Sequence, residues 1–360
     1  MKIVYALVCL LGGVLMAAPQ QQTVEGLPVH QVETASSVLQ PSNRPARNVI
    51  LMIGDGMGSE HLWAAWLCNR GQLNICTLPC TAFSQTYSSN RTITDSAAGG
   101  TALACGVKTD NGMLGQRPDG TPMQSLAEWC CGRGMATGLV VTKAITDATP
   151  AAFYAHTSSR KNTPAIAESL SKAGFDVVLG GGAAAFSTEQ MERMRAGGAD
   201  VELFAPGECP PASVRGDLLP RNVERALARL EKAGKGFFLM VEGSSIDLAA
   251  HENNLDETVR EVLDFDCAVG VVLRWMAKHP HTLLVVTADH QTGGLSIIDG
   301  SKKSGRVTGC FTTLNHTGVA VPIYATGAGA AVFRGVMENT RVPHIIRSVM
   351  VQSSPLSVKN

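Results

Sequence analysis

The chain has 360 residues, 45% of them hydrophobic, and its 30 Lys+Arg against 30 Asp+Glu leave a formal net charge of zero. That length supports one large domain or two ordinary ones, and the even charge, with no basic block, argues against a nucleic-acid-binding surface. Charged residues at 17%, aromatics at 5% and 37 glycines suit an α/β enzyme with many tight loops.

Lys2 precedes an apolar stretch, 3–16, which ends at the small residues Ala17 and Ala18. Residues 1–18 therefore read as a cleaved signal peptide, since the stretch is shorter than the roughly 20 residues that span a bilayer. The protein is expected to be exported, periplasmic or secreted, with no transmembrane segment in the mature form. Residues 19–46 are polar and proline-containing and read as a flexible N-terminal arm, followed by one folded unit over 47–360 without an internal repeat. Ten cysteines, nine without Cys9, make disulfides plausible in an exported protein. Cys76 and Cys80 lack the second spaced pair that a cysteine zinc site needs.

From residue 48 onward short apolar runs recur at 49–53, 139–141, 177–179, 237–241, 283–286 and 321–324, each closed by Gly or a polar turn. Such nearly continuous runs predict strands buried on both faces. Between them, apolar residues at three- and four-residue spacing predict helices over 122–131, 163–173, 222–233 and 255–276. Gly134, Gly174 and Gly234 stand where C-terminal caps belong. The alternation predicts an α/β fold, a single domain whose central mostly parallel β-sheet is sandwiched between helices. Ligands in such sheets bind beyond the carboxyl ends of the strands, where Asp55, Glu242 and Asp289 fall.

Four segments carry most of the chemistry: LMIGDGMG (51–58), TDSAAGGTA (94–102), VEGSSIDLAAH (241–251) and TADHQTGG (287–294). TDATPAAFYAHTSSR (146–160) and LNHTG (314–318) join them. Asp247 and His251 are four apart, so one helical turn puts both on one face, as two ligands of one ion require. Asp289 and His290 are neighbours at a strand end, and Asp55 follows a strand between glycines. Carboxylate with imidazole favours zinc-like ions, and all-oxygen sets favour magnesium. Ser96 opens a predicted helix over 97–104, whose N-terminal amides face an anion. By itself Asp95-Ser96 reads equally as an N-cap. No Gly-x-Ser-x-Gly elbow is present, so a hydrolase triad is unsupported.

In content and order these segments resemble the alkaline phosphatase family, bacterial type, over roughly residues 48–350. The resemblance implies an alkaline phosphatase catalytic domain over 47–360 that hydrolyses phosphate monoesters through a phosphoserine on Ser96, with two zinc ions and one magnesium ion. Asp247, His251 and His316 would hold the zinc that activates water. Asp55, Ser96, Asp289 and His290 would surround the zinc that activates the serine. Asp55, Thr149 and Glu242 would bind magnesium, Asp147 would order its water, and Arg160, oriented by Asp95, would grip two phosphate oxygens. Leu248 stands where several relatives carry Lys or His, which implies weaker phosphate binding. Only 25 residues separate His290 from His316, so the crown insertion of larger relatives is trimmed, the site is expected to be open, and a monomer or homodimer is expected. Among superfamily alternatives, sulfatases need a Cys/Ser-x-Pro-x-Arg context that Ser96-Ala97-Ala98 lacks. Diesterases generally lack third-ion residues such as Thr149 and Glu242.

Overall fold

A computed structural model describes residues 20–33 and 40–351; the signal-peptide reading of 1–18 lies outside them. A nine-stranded sheet organises the molecule. Its order is Gly335–Glu338, Cys80–Gln85, Val321–Gly327, Thr282–Thr287, Asn48–Gly54, Phe237–Gly243, Ala136–Ala144, Val177–Gly181 and Asp200–Leu203. Neighbours pair in parallel except where Val321–Gly327 runs against Cys80–Gln85 and Thr282–Thr287.

Strand Asn48–Gly54 shows why the apolar runs are continuous. Ile50 and Met52 point into one core layer, and Val49, Leu51 and Ile53 into the other, as a period of two requires. Helices Ser59–Cys68, Leu218–Leu230 and Leu255–Met276 cover the first layer. Helices Ser96–Cys105, Leu126–Cys131, Thr163–Lys172 and Arg341–Val351 cover the second. With both faces covered, the middle of the strand is apolar on both, and polar side chains such as Lys143 and Glu242 come near the carboxyl ends of their strands.

Several expectations are adjusted. The helix expected from 222 starts at Leu218, because Pro220 sits in its first turn, where no intrahelical N–H is needed. The helix expected over 122–131 starts at Leu126, where Ser125 caps Glu128 N and Glu128 caps Ser125 N reciprocally. Gly174 takes a left-handed φ of +71° after its helix, but Gly234 has no positive φ, and helix Leu218–Leu230 ends on Glu231 in right-handed geometry. The described part of the arm is docked. Gln22–Val24 pairs antiparallel with Arg306–Cys310, Val24 is buried, and His30 Nε2 lies 2.7 Å from Asp266 Oδ2. All nine described cysteines are free, so the disulfides that the cysteine count left plausible are absent among the described residues. No described helix is long and apolar enough to cross a membrane.

In place of a crown, residues 291–317 form the hairpin Ser296–Ser301 with Arg306–Cys310 and a short pairing of Gln291–Thr292 with His316–Thr317. That second pairing brings His316 back to the segment bearing His290.

Candidate metal centre and nucleophile

Parallel register gathers the site at the carboxyl edge of the sheet. Glu242 lies opposite Ile53 on one side and Val141 on the other. Asp55 follows strand Asn48–Gly54, Asp289 follows Thr282–Thr287, and Asp147 follows Ala136–Ala144. Helix Ser96–Cys105 runs up against this edge because it carries glycine where two segments press on it. A Cβ on Gly99 would lie 3.0 Å from Asp289 O, and one on Gly100 would lie 3.2 Å from Thr149 Cα. Ser96, 3% exposed, is thereby set between the segments bearing Asp289 and Thr149.

Asp247, His251 and His316 form one compact group. His251 Nδ1 donates to Leu314 O at 2.5 Å and His316 Nδ1 donates to Thr94 O at 2.9 Å. A carbonyl only accepts, so both rings carry their proton on Nδ1 and present a lone pair on Nε2. The two Nε2 atoms nevertheless face each other at 3.1 Å, and Asp247 Oδ1 stands 3.3 and 3.6 Å from them. Two lone pairs and a carboxylate oxygen converging with no donor among the three call for a cation. The separations match the edges, about 3.3 Å, of a tetrahedral ion with bonds of roughly 2.0–2.1 Å.

The second group is Asp55, Asp289 and His290, all buried. His290 Nε2 lies 3.4 Å from Asp55 Oδ1, 3.2 Å from Asp289 Oδ2 and 3.2 Å from Ser96 Oγ. Thr292, not singled out in the sequence, orients both groups. Its hydroxyl donates to Asp247 Oδ1 at 2.6 Å, so the 3.2 Å contact with His290 Nδ1 must be donated by the histidine. That assigns His290 the same tautomer, with its Nε2 lone pair toward Ser96. The turn at Gly56 also has no room for a side chain, since a Cβ there would lie 2.7 Å from Thr292 Oγ1 and φ is +70°.

A third group is all oxygen. Both carboxylate oxygens of Asp55 and of Glu242, and the hydroxyl of Thr149, are buried without a hydrogen-bond partner. Orphaned buried oxygens are costly, and a hard cation among them removes the cost. Electrostatics agrees. Burial, with Asp247 nearby, pushes the Asp289 carboxyl up to about 7, and burial with Asp147 pushes Glu242 up to about 8. Burial and Asp289 raise Asp55 well above the usual carboxylate range, while burial and the neighbouring His316 hold His290 well below the usual imidazole range. These groups stay ionised or ligating together only with cations between them.

Arg160 is held at the site's margin. Its Nη2 donates to Asp147 Oδ1 at 3.0 Å, and its Nη1 lies 3.5 Å from Asp95 Oδ2. Asp95 Oδ1 caps Ala98 N at 3.0 Å, while Oδ2 accepts from Gly112 N at 2.9 Å on the side that faces Arg160. Asp147, expected near the third ion, has both oxygens engaged, Oδ1 by Arg160 and Ala148 N and Oδ2 by Lys143 Nζ at 2.7 Å.

The arrangement combines a buried serine at a helix start, three ligand groups and a guanidinium, a set able to transfer a phosphoryl group. The family profile described as alkaline phosphatase matches residues 46–202 and 201–309. The chain is 32% identical to alkaline phosphatase 4 of Bacillus subtilis, over 90% of this chain and 93% of that one. It is 34% identical to the streptomycin-6-phosphate phosphatase of Streptomyces griseus, over 82% and 88% of the two chains. The solved alkaline phosphatase of the Antarctic bacterium TAB5 superposes with a TM-score of 0.80 at 30% identity, over 86% of this chain and 99% of that one.

Proposed function

This chain belongs to the alkaline phosphatase family and is a metal-dependent phosphoric monoester hydrolase, and we propose that it acts through a phosphoserine on Ser96 with two zinc ions and one magnesium ion. The observation that carries this reading is the position of Ser96 Oγ, at a helix start and 3.2 Å from His290 Nε2. Asp247, His251 and His316 would hold one zinc, and Asp55, Asp289 and His290 the other. Asp55, Thr149 and Glu242 would hold magnesium; a variant of the TAB5 enzyme has magnesium bound in the site called M3.

When bound, the zinc ions lower the pKa of the serine hydroxyl and of the attacking water and offset charge on the leaving oxygen. The chain supplies the remainder. The Arg160 guanidinium receives two phosphoryl oxygens, its plane fixed by Asp147 and Asp95. The first amides of helix Ser96–Cys105 face the negative charge of the phosphoryl group. Ser96 Oγ attacks phosphorus in line as the ester P–O bond breaks. Water then attacks from the face the alcohol has left, the Oγ–P bond breaks, and phosphate departs with Ser96 restored.

The test compares a p-nitrophenyl monoester with the matching diester and sulfate ester, before and after chelation and on return of zinc plus magnesium. Strong monoester preference, abolished by chelator and restored by the metals, supports the reading. Diester or sulfate preference, or indifference to metals, overturns it. Export through residues 1–18 belongs to the same proposal, and the N-terminal sequence of the mature protein tests it: a start near Pro19 is expected, and retention of Met1 refutes it.

A further inference from the structure

One buried cation of the site has no part in the scheme above. Lys143 lies near the carboxyl end of strand Ala136–Ala144 with 8% of its side chain exposed, and its Nζ stands 2.7 Å from Asp147 Oδ2. Burial works against a charged ammonium, but Asp147 at contact distance, with Asp55 and Asp247 further off, holds it charged. Burial likewise works against the Asp147 carboxylate, which Lys143 and Arg160 keep down at about 2.

The pair is more than a four-residue-spaced ion pair on a surface. Asp147 Oδ1 accepts from Arg160 Nη2 at 3.0 Å and from Ala148 N at 2.8 Å. A continuous line therefore runs from Lys143 through Asp147 to the guanidinium. Lys143 fixes the second carboxylate oxygen, and with it the rotation of the group that orients Arg160. The other partner of Arg160, Asp95, is at the longer distance of 3.5 Å. The ammonium also acts on the carboxylates of Asp55 and Glu242, opposing the burial and the carboxylate repulsion that raise them. A fixed positive charge there competes with any divalent ion those oxygens take up.

We propose that Lys143 is a positioning residue for the phosphoryl group: through Asp147 it fixes the Arg160 guanidinium, and its ammonium weakens the hold of Asp55, Thr149 and Glu242 on magnesium. The second half rests on the third-ion reading given above; the first half does not.

The test uses zinc-loaded protein and two variants, Lys143→Met, which keeps the stem and removes the charge, and Lys143→Arg, which restores it. Two readouts are independent of turnover: the dissociation constant of inorganic phosphate and that of magnesium, both by titration calorimetry. Losing a buried charge-assisted link is expected to weaken phosphate binding by about tenfold in Lys143→Met, with Lys143→Arg recovering most of it. Magnesium is expected to bind about tenfold more tightly to Lys143→Met once the like charge is gone. Phosphate and magnesium affinities within twofold of wild type, with only the melting temperature changed, would overturn the proposal and leave Lys143 a structural residue. Weaker phosphate with unchanged magnesium affinity would overturn its second half. If no protein in the series binds magnesium, the third-ion reading fails, and the phosphate titration alone decides for Lys143.

Discussion

Replacing Thr292 by Val keeps the shape of the side chain and deletes one hydroxyl. That hydroxyl donates to Asp247 Oδ1 at 2.6 Å and receives the Nδ1 proton of His290 at 3.2 Å. A hydrogen bond to an ionised acceptor contributes about 1.5–3 kcal/mol. At about 1.4 kcal/mol per factor of ten, the metal groups should lose roughly ten- to a hundredfold in affinity, the range found for outer partners of metal ligands. The assay is zinc retention against a graded chelator, followed by kcat/KM once zinc is restored to saturation. Zinc should leave at lower chelator concentration, and activity should recover largely in excess zinc, because the ligands themselves are intact. Zinc retention within twofold of wild type would refute the assignment of Thr292 as the group that orients Asp247 and sets the tautomer of His290.

Ser96→Ala should leave metal content near the wild-type level while turnover collapses, since Asp55, Asp289 and His290 remain; parallel loss of metal would make Ser96 chiefly structural. The arm should loosen in alkali. Burial alone would lower the His30 pKa, but the contact with Asp266 pushes it up to about 10. A raised imidazole stabilises fully below its unfolded value of about 6.5 and loses that contribution as pH climbs through the folded value. The stability gap between wild type and His30→Gln, from denaturant melts at several pH values, should therefore be widest near pH 6 and close toward pH 10. A gap that does not change with pH would refute the charge on His30.

Central strands are legible in the sequence because burial on both faces leaves no polar position, as in 49–53 and 283–286. The edge is not. In Cys80–Gln85 the inward residues are Ala82 and Ser84 while Phe83 is exposed, so hydrophobicity points the wrong way. The hairpin over 296–310 is largely solvated on its first strand and gives no apolar run. Ligand candidates are legible where local geometry ties them together, as the helical spacing ties Asp247 to His251. Thr292 and Lys143 are not: neither residue type marks a metal site, and their importance arises from partners 45 and 4 positions away that only the fold brings into contact. His30, within the segment read as a flexible arm, is tied to Asp266, which also accepts from Asn74 N and Ile75 N.

The docked arm also bears on the cleavage proposed after residue 18. Gln22 Nε2 donates to Asn253 O at 2.5 Å, and Gln22 Oε1 accepts from Leu255 N at 2.9 Å, which clasps the turn directly after the ligand His251. Strand Gln22–Val24 also covers Arg306–Cys310, which would otherwise be an open edge. Trimming that stops short of residue 22 leaves this brace in place. A protease cutting a dozen residues further on would strip it away, slackening the His251 turn and baring a sheet edge to neighbouring molecules, so Gln22 marks how far the N-terminus can be cut back before the ligand turn loses its clasp.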